Sequence, residues 1–362
     1  MTKVKPIRIL VVEDSPVCRD LLVSLLQSTP DFQVVGVARN GAEAVRLVQR
    51  LKPDLVTMDI HMPEMDGYEA TRRIMAEMPC PIVMISGSLN KAEHKLTFAA
   101  MQSGALSVLE KPMMDDAPEA HYALLAHIRL MADVKVVRRW SKGGGTANGT
   151  QNGAAPPAAS VSDRLPIELP KNGRYKAQLV AIAASTGGPA ALAEVLRPLP
   201  ADFPLPIVIV QHVTSGFGEG FASWLDTQTS LTVRVARQGD KPQAGEVLIA
   251  PDDRHMIISS LGLIAFVNAP PMHGLRPAAD YLFQSVAQVY GRFAIGIVLT
   301  GMGSDGAEGL KMMKNTGAQT IVQDKETSIV FGMPAVAIEL GAAGYIRPLS
   351  QITPTLIHLI RE

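Results

Sequence analysis

Two hydrophobic rhythms alternate along this chain. Short apolar runs occur at Ile7–Val12, Val34–Ala38, Leu55–Met58, Ile82–Ile85 and Ala105–Leu109. Between them lie stretches in which apolar positions return every three or four residues, such as Pro16–Leu26 and Ala42–Leu51. Buried strands separated by amphipathic helices predict five βα units around a parallel sheet covered on both faces. The pattern resumes after residue 177, with apolar runs at Leu179–Ala184, Ile207–Val210, Val247–Ala250, Ile257–Val267 (turning near Ser260–Gly262) and Ala294–Leu299. Helical spacing falls near Pro189–Leu196, Gly218–Asp226, Ala278–Tyr290, Asp305–Asn315 and Pro334–Leu340. The β-rich part from Val233 to Val267 predicts an antiparallel hairpin beside the main sheet. The fold class is therefore α/β: an N-terminal doubly wound (βα)5 unit and a C-terminal parallel-sheet unit with a small hairpin. No sequence period of the kind that builds a solenoid is present.

The two patterned blocks are separated by residues 135–176, which carry 8 basic residues against 2 acidic. Within them, SKGGGTANGTQNGAAPPAAS (141–160) holds one charge and no large apolar side chain. Such a stretch cannot bury enough surface to offset its ordering entropy, so it reads as a flexible linker. The expected division is 1–134, linker 135–176, and 177–362, which suits 362 residues at roughly 100–200 per domain. Basic and acidic residues balance at 34 each, which excludes a uniformly basic nucleic-acid binder. With only Cys18 and Cys80 there is no disulfide framework. No apolar run reaches the roughly 18–20 residues of a membrane span, and the N-terminus has no signal-peptide pattern. The expectation is a cytoplasmic protein without membrane insertion.

Chemistry gathers at the predicted strand ends. Glu13 and Asp14 follow the first strand, Asp59 the third, Ser86 closes the fourth, and Lys111 follows the fifth. In a doubly wound sheet these positions share one crevice. Clustered carboxylates repel unless a cation neutralises them, and oxygen donors of this kind suit Mg²⁺. A carboxylate, a divalent cation, a lysine and a hydroxyl together form a phosphoryl-acceptor site.

The segments VVEDS (11–15), MDIHMPEMDG (58–67), SG (86–87) and EKP (110–112) resemble a two-component receiver domain over about residues 5–130. The resemblance implies phosphorylation at Asp59, and Mg²⁺ bound by Glu13, Asp14, Asp59 and the backbone carbonyl of His61. It implies phosphoryl sensing by Ser86 and Lys111. Val108 stands where the family often carries an aromatic residue.

In the second block Ser185 opens STGGP after one apolar run, His212 follows another, and TGMGSDG (300–306) with Asp305 follows a third. All three belong at the carboxyl edge of one sheet. A serine hydroxyl needs a histidine to take its proton and a carboxylate to orient that histidine. Gly187 and Gly188 permit a sharp strand-to-helix turn, which puts Ser185 near the free N–H groups of a helix N-terminus. Singly, each residue also fits a cap or a structural strand end. The chain order Ser, His, Asp and the absence of GxSxG differ from α/β-hydrolases.

The segments AASTGGPAAL, QHVTSGF, IAPDDRHM, PMHGLRPAADYLF, LTGMGSDGAEGL and VFGMPAVAIEL resemble the catalytic domain of the chemotaxis protein-glutamate methylesterases over about residues 177–355. That resemblance implies Ser185 as nucleophile, His212 as general base and acid, and Asp305 as the orienting carboxylate. The N–H groups of Thr186 and Met302 would form the oxyanion hole. It further implies demethylation of glutamyl methyl esters and deamidation of glutamines on methyl-accepting chemotaxis receptors, with a histidine kinase as phosphodonor. No cofactor is expected in the catalytic domain and no nucleic acid as partner. His255 reads as structural and His273 as a further polar candidate. His61, His94, His121, His127 and His358 have no ligand spacing, which speaks against a catalytic zinc. Two other readings are a phosphate-binding module at the STGGP turn, which lacks the Walker lysine pattern, and a DNA-binding regulator, which lacks a basic recognition helix.

Overall fold

The structure is a computed structural model that describes residues 5–87, 105–132, 134, 177–213 and 216–360. The expected linker and His94 lie outside the described residues.

The first unit is a five-stranded sheet, all of its pairings parallel, built from β1 (Ile7–Val12), β2 (Phe32–Ala38), β3 (Leu55–Asp59), β4 (Ile82–Ser86) and β5 (Ser107–Glu110). The strand order is β2-β1-β3-β4-β5. Among the described residues its helices are α1 (Pro16–Gln27), α2 (Gly41–Leu51), α3 (Gly67–Glu77) and α4 (Pro118–Ala132). Two apolar clusters lie on its faces. One gathers Leu10, Val56, Met58 and Met84 with Ala44 and Ile74, and the other gathers Ile9, Val11, Val83 and Ile85 with Leu22 and Ile128. The alternation of neighbours in β1 between these clusters is the period-two signature of a strand buried on both sides.

The second unit is a seven-stranded sheet with β6 (Leu179–Ala184), β7 (Ile207–Gln211), β8 (Thr232–Val235), β9 (Glu246–Ile249), β12 (Ala294–Val298), β13 (Gln319–Gln323) and β14 (Tyr345–Arg347). Its order is β14-β13-β12-β6-β7-β9-β8, with every pairing parallel. The helices are α5 (Gly188–Leu196), α6 (Gly218–Asp226), α7 (Ala279–Val289), α8 (Ala307–Asn315), α9 (Met333–Glu339) and α10 (Leu349–Leu359). The antiparallel hairpin is β10 (His255–Ile258) with β11 (Ile264–Val267). It is narrower than the β-rich stretch from Val233 suggested, because β8 and β9 pair parallel inside the main sheet.

Each sheet has a place where the strand order reverses direction. In the first it lies between β1 and β3, and in the second between β6 and β12. Open α/β sheets bind ligands in the crevice at that point. Among the described residues no helix is long and apolar enough to cross a membrane.

The two units touch. Ile329 and Val330 of the second join the apolar cluster that α4 and β5 complete on the first. A cavity of about 540 Å³ lies where they meet. Leu106, Val108, Leu109 and His127 line it from one side, and Ser185, His212 and Met302 from the other.

Candidate functional site

At the β1/β3 crevice, Glu13, Asp59 and Ser86 are buried and Asp14 is exposed. Lys111 bridges the carboxylates, its Nζ lying 2.9 Å from Glu13 Oε1 and 3.0 Å from Asp59 Oδ2. Carboxylate oxygens of Glu13, Asp14 and Asp59 come within 4.8 Å of one another. Burial pushes the Glu13 carboxyl up, Lys111 opposes that shift, and the Asp59 charge adds to it. Burial also works against the Lys111 charge, yet its hydrogen bonds to Glu13 and Asp59 outweigh this and hold the ammonium above its ordinary value. Glu13 Oε2 is buried and accepts no hydrogen bond, although Lys111 Nζ sits 2.9 Å away. Three carboxylates whose oxygens gather this closely, two of them buried, are hard donors that fit the small divalent cation expected there.

The loop after β3 is shaped to return on Asp59. Gly67 N–H donates to Ile60 O at 2.9 Å. A Cβ on Gly67 would stand 2.1 Å from the Asp59 carbonyl oxygen. His61 lies in this loop with an exposed side chain.

At the β6/β12 crevice His212 and Asp305 meet, and Ser185 lines the same cavity as His212. His212 Nε2 lies 2.8 Å from Asp305 Oδ2. Asp305 is fully buried and accepts two further bonds, from Ala279 N–H at 2.6 Å and Asp280 N–H at 3.1 Å. Burial alone would raise its carboxyl, but the His212 and backbone donors outweigh it and lower it. A carboxylate that accepts from Nε2 fixes the imidazole proton on that nitrogen. His212 Nδ1 is then a bare acceptor, and it is buried with no partner among the described residues.

Ser185 lines the same cavity as His212. Its backbone is fixed on three sides. Ser185 N–H donates to Thr300 O at 3.1 Å, and Ser185 O accepts from Gly188 N–H at 2.8 Å and Gln211 Nε2 at 2.9 Å. Gly187 has φ +76° and caps α5. A Cβ on Gly301 would stand 2.7 Å from Ser185 Cβ, so the loop of Met302 approaches Ser185 only because residue 301 is glycine. Met302 is half exposed at the rim, beside Gly303 at φ +84°.

Residues 180–356 match the CheB methylesterase family and residues 9–122 the response regulator receiver domain. A protein-glutamate methylesterase/protein-glutamine glutaminase of Nitrosospira multiformis is 46% identical over 360 residues, 98% of each chain. The chain belongs to this methylesterase family. Another relative of that name, from Syntrophus aciditrophicus, is 45% identical over 355 residues, 98% of each chain. The crystal structure of the Thermotoga maritima CheB methylesterase catalytic domain is 40% identical and covers 51% of this chain and 99% of its own, with a TM-score of 0.49.

Against this methylesterase frame, sequence reasoning missed two residues. Gln211 ends β7 and ties Ser185 O to His212 O, both at 2.9 Å. Asp280 is buried behind Asp305, where its Oδ1 accepts from Gly309 N–H at 2.7 Å. Gln211 looked like one more strand-end polar residue. The only signal for Asp280 was an acid in the first turn of a helix, which the dipole alone explains. His255 is structural, as expected. Its Nδ1 accepts from Ala278 N–H at 3.1 Å, its Nε2 faces Pro270 O at 3.1 Å, and its ring stacks on Tyr281.

Proposed function

We propose that this chain is a phosphorylation-regulated serine hydrolase. It demethylates glutamyl methyl esters and deamidates glutamines on methyl-accepting chemotaxis receptors in the cytoplasm, with a receiver over 1–134, a linker over 135–176 and the catalytic domain over 177–362. The observation that carries the reading is the His212–Asp305 contact of 2.8 Å at the cavity that Ser185 also lines.

In this mechanism the bare Nδ1 of His212 takes the Ser185 hydroxyl proton as Oγ attacks the γ-carbonyl carbon of the substrate side chain. Asp305 stabilises the imidazolium that forms. The N–H groups of Thr186 and Met302 meet the developing oxyanion. His212 then returns its proton to the departing oxygen or nitrogen, releasing methanol or ammonia and leaving an acyl-serine. Water, deprotonated by the same imidazole, hydrolyses that acyl group to a free carboxylate. Both substrates follow one path because they differ only in the leaving group.

At the other crevice Asp59 is the phosphoryl acceptor. Glu13, Asp14, Asp59 and the His61 carbonyl would hold Mg²⁺, which supplies charge neutralisation for the phosphoryl oxygens. Lys111 holds the transferred group and Ser86 senses it. A chemotaxis histidine kinase is the donor.

The test is methanol release from methylated receptor membranes. Ser185→Ala and His212→Ala each abolish turnover while the protein stays folded, and the double variant is little worse than either single one. Asp305→Asn loses less, because it orients the imidazole and moves no proton. Near-normal methanol release by Ser185→Ala overturns the assignment.

A further inference from the structure

A second histidine and a second aspartate stand at the cavity of Ser185. His273 lines that cavity, and its Nε2 lies 3.4 Å from Oδ2 of buried Asp280. Asp280 is fixed in its turn by Gly309 N–H on Oδ1. The backbone presents His273 on a tight turn. Met272 and Leu275 exchange N–H···O bonds of 3.0 and 2.8 Å, and the two residues between them, His273 and Gly274, both have positive φ, +52° and +76°. Two successive left-handed residues are the mark of a type I′ turn, a conformation that histidine tolerates better than most side chains. The side chain is half exposed.

The reading of the site as a glutamyl methylesterase and glutaminase leaves one chemical question. The two leaving groups have opposite demands. The carboxamide –NH₂ brings two hydrogen-bond donors, whereas the ester –OCH₃ brings none. The triad described above makes no distinction between them. A carboxylate 3.4 Å from Nε2 favours the imidazole tautomer that carries its proton on that nitrogen, which leaves Nδ1 as an acceptor.

We propose that His273 is the residue that favours glutamine over the methyl ester: oriented by Asp280, it accepts an N–H of the substrate carboxamide through Nδ1. The inference rests on the proposed function and concerns only the ratio of its two reactions. The ester gains nothing from this acceptor, so His273 raises deamidation and leaves demethylation largely alone. A lost hydrogen bond of ordinary net strength is worth a factor of about five to ten.

Four groups share this neighbourhood. Asp280 lies on α7, Asp305 precedes α8, His212 follows β7, and His127 reaches the cavity from α4. Arg276 follows on the same loop as His273. Any change in the shared triad affects both reactions alike, so the ratio of the two rates isolates His273.

The experiment uses the full chain, activated with beryllofluoride and Mg²⁺. The substrates are chemoreceptor cytoplasmic fragments that carry, at one position, either glutamine or glutamate γ-methyl ester. Ammonia and methanol release are measured at pH 8. His273→Gly keeps a residue that accepts positive φ, and His273→Asn keeps a short polar one that also tolerates it. Both are expected to lower the deamidation-to-demethylation ratio about five- to ten-fold at pH 8. Added imidazole partly restores the ratio of His273→Gly. An unchanged ratio in both variants overturns the proposal, and so does an equal loss of both activities in both, which marks a structural role. A wild-type chain that turns over neither fragment overturns the underlying function itself.

Discussion

At the residue scale, most of the polar side chains that matter sit at strand ends, where side chains such as Lys111 and His212 are held by neighbouring carboxylates. Glu13, Asp59, Ser86, Lys111, Ser185 and His212 end or follow apolar strands, and a strand end in a parallel sheet has only one crevice to face. Gln211 and Asp280 were not readable, because their partners are the Ser185 carbonyl oxygen and the Gly309 N–H, which a sequence pattern does not display. Asp59 carries a direct prediction. Acetyl phosphate or beryllofluoride with Mg²⁺ changes the intrinsic fluorescence or the proteolysis pattern of the protein, and Asp59→Asn abolishes the response. An equal response in the variant moves the acceptor elsewhere. His127 carries a second one. Its Nε2 lies 2.8 Å from Ser107 Oγ, and burial lowers its pKa from the ordinary 6.5. The unfolded chain therefore takes up this proton more readily than the folded one. The stability that neutral His127 provides is complete above pH 6.5 and is lost as the pH falls through that value toward the lower folded one. Urea midpoints at pH 7.5 and 5.5 should fall further for the wild type than for His127→Gln, and parallel falls contradict the assignment.

At the element scale, long apolar strands and well-spaced helices were legible, and short half-polar elements were not. β13 reads QTIVQ, β8 reads TVRV, and β14 is three residues with none fully buried. None of them has the length or the contrast that periodicity needs. α10 carries Pro354 in its interior, a residue that argues against a helix when read from sequence. The tight turns that aim the sites were legible only as glycines. Two of these glycines are demanded by close approach. A Cβ at residue 188 would lie 2.1 Å from Gln211 Oε1, and one at residue 67 would lie 2.1 Å from the Asp59 carbonyl oxygen. Gly67→Ala is therefore predicted to displace the β3–α3 loop. It costs on the order of 1–3 kcal/mol of receiver stability and weakens the beryllofluoride response. A variant with unchanged melting and response means that the loop yields freely.

At the scale of the whole molecule, one segment belongs to both units. Ile329 packs over Gly187, and Val330 O accepts from Gly301 N–H at 3.0 Å, so this stretch braces the turns on either side of Ser185. The same two side chains enter the apolar cluster of α4 and β5. The receiver thus docks on the carboxyl edge of the catalytic sheet and roofs the cavity that Ser185 and His212 line. A cavity of about 540 Å³ leaves room for a small ester. It leaves none for a receptor helix, about 10–12 Å across with its side chains. The expected consequence is that the unphosphorylated receiver inhibits by occlusion. The two apolar clusters on the faces of the catalytic sheet draw only on residues 177–360, so that unit keeps its core when separated. Residues 170–362 alone are then predicted to release methanol faster than the unphosphorylated full chain. Free receiver added in trans should inhibit only weakly, because covalent connection raises the effective concentration to the millimolar range. In the intact chain, Val330→Ala keeps the backbone bond to Gly301 but removes buried apolar surface from the docking face. A loss of about 1–2 kcal/mol of burial shifts the docking equilibrium several-fold toward the open form, raising the unphosphorylated rate while the phosphorylated rate stays unchanged. Val108 lines the cavity from β5, at the docking face, where the family often carries an aromatic residue. Phosphorylation then acts by biasing the same open–closed equilibrium that Val330→Ala shifts. Equal methanol release by residues 170–362 and by the unphosphorylated full chain ends the occlusion account, and the receiver is then a device that recruits the enzyme to its substrate.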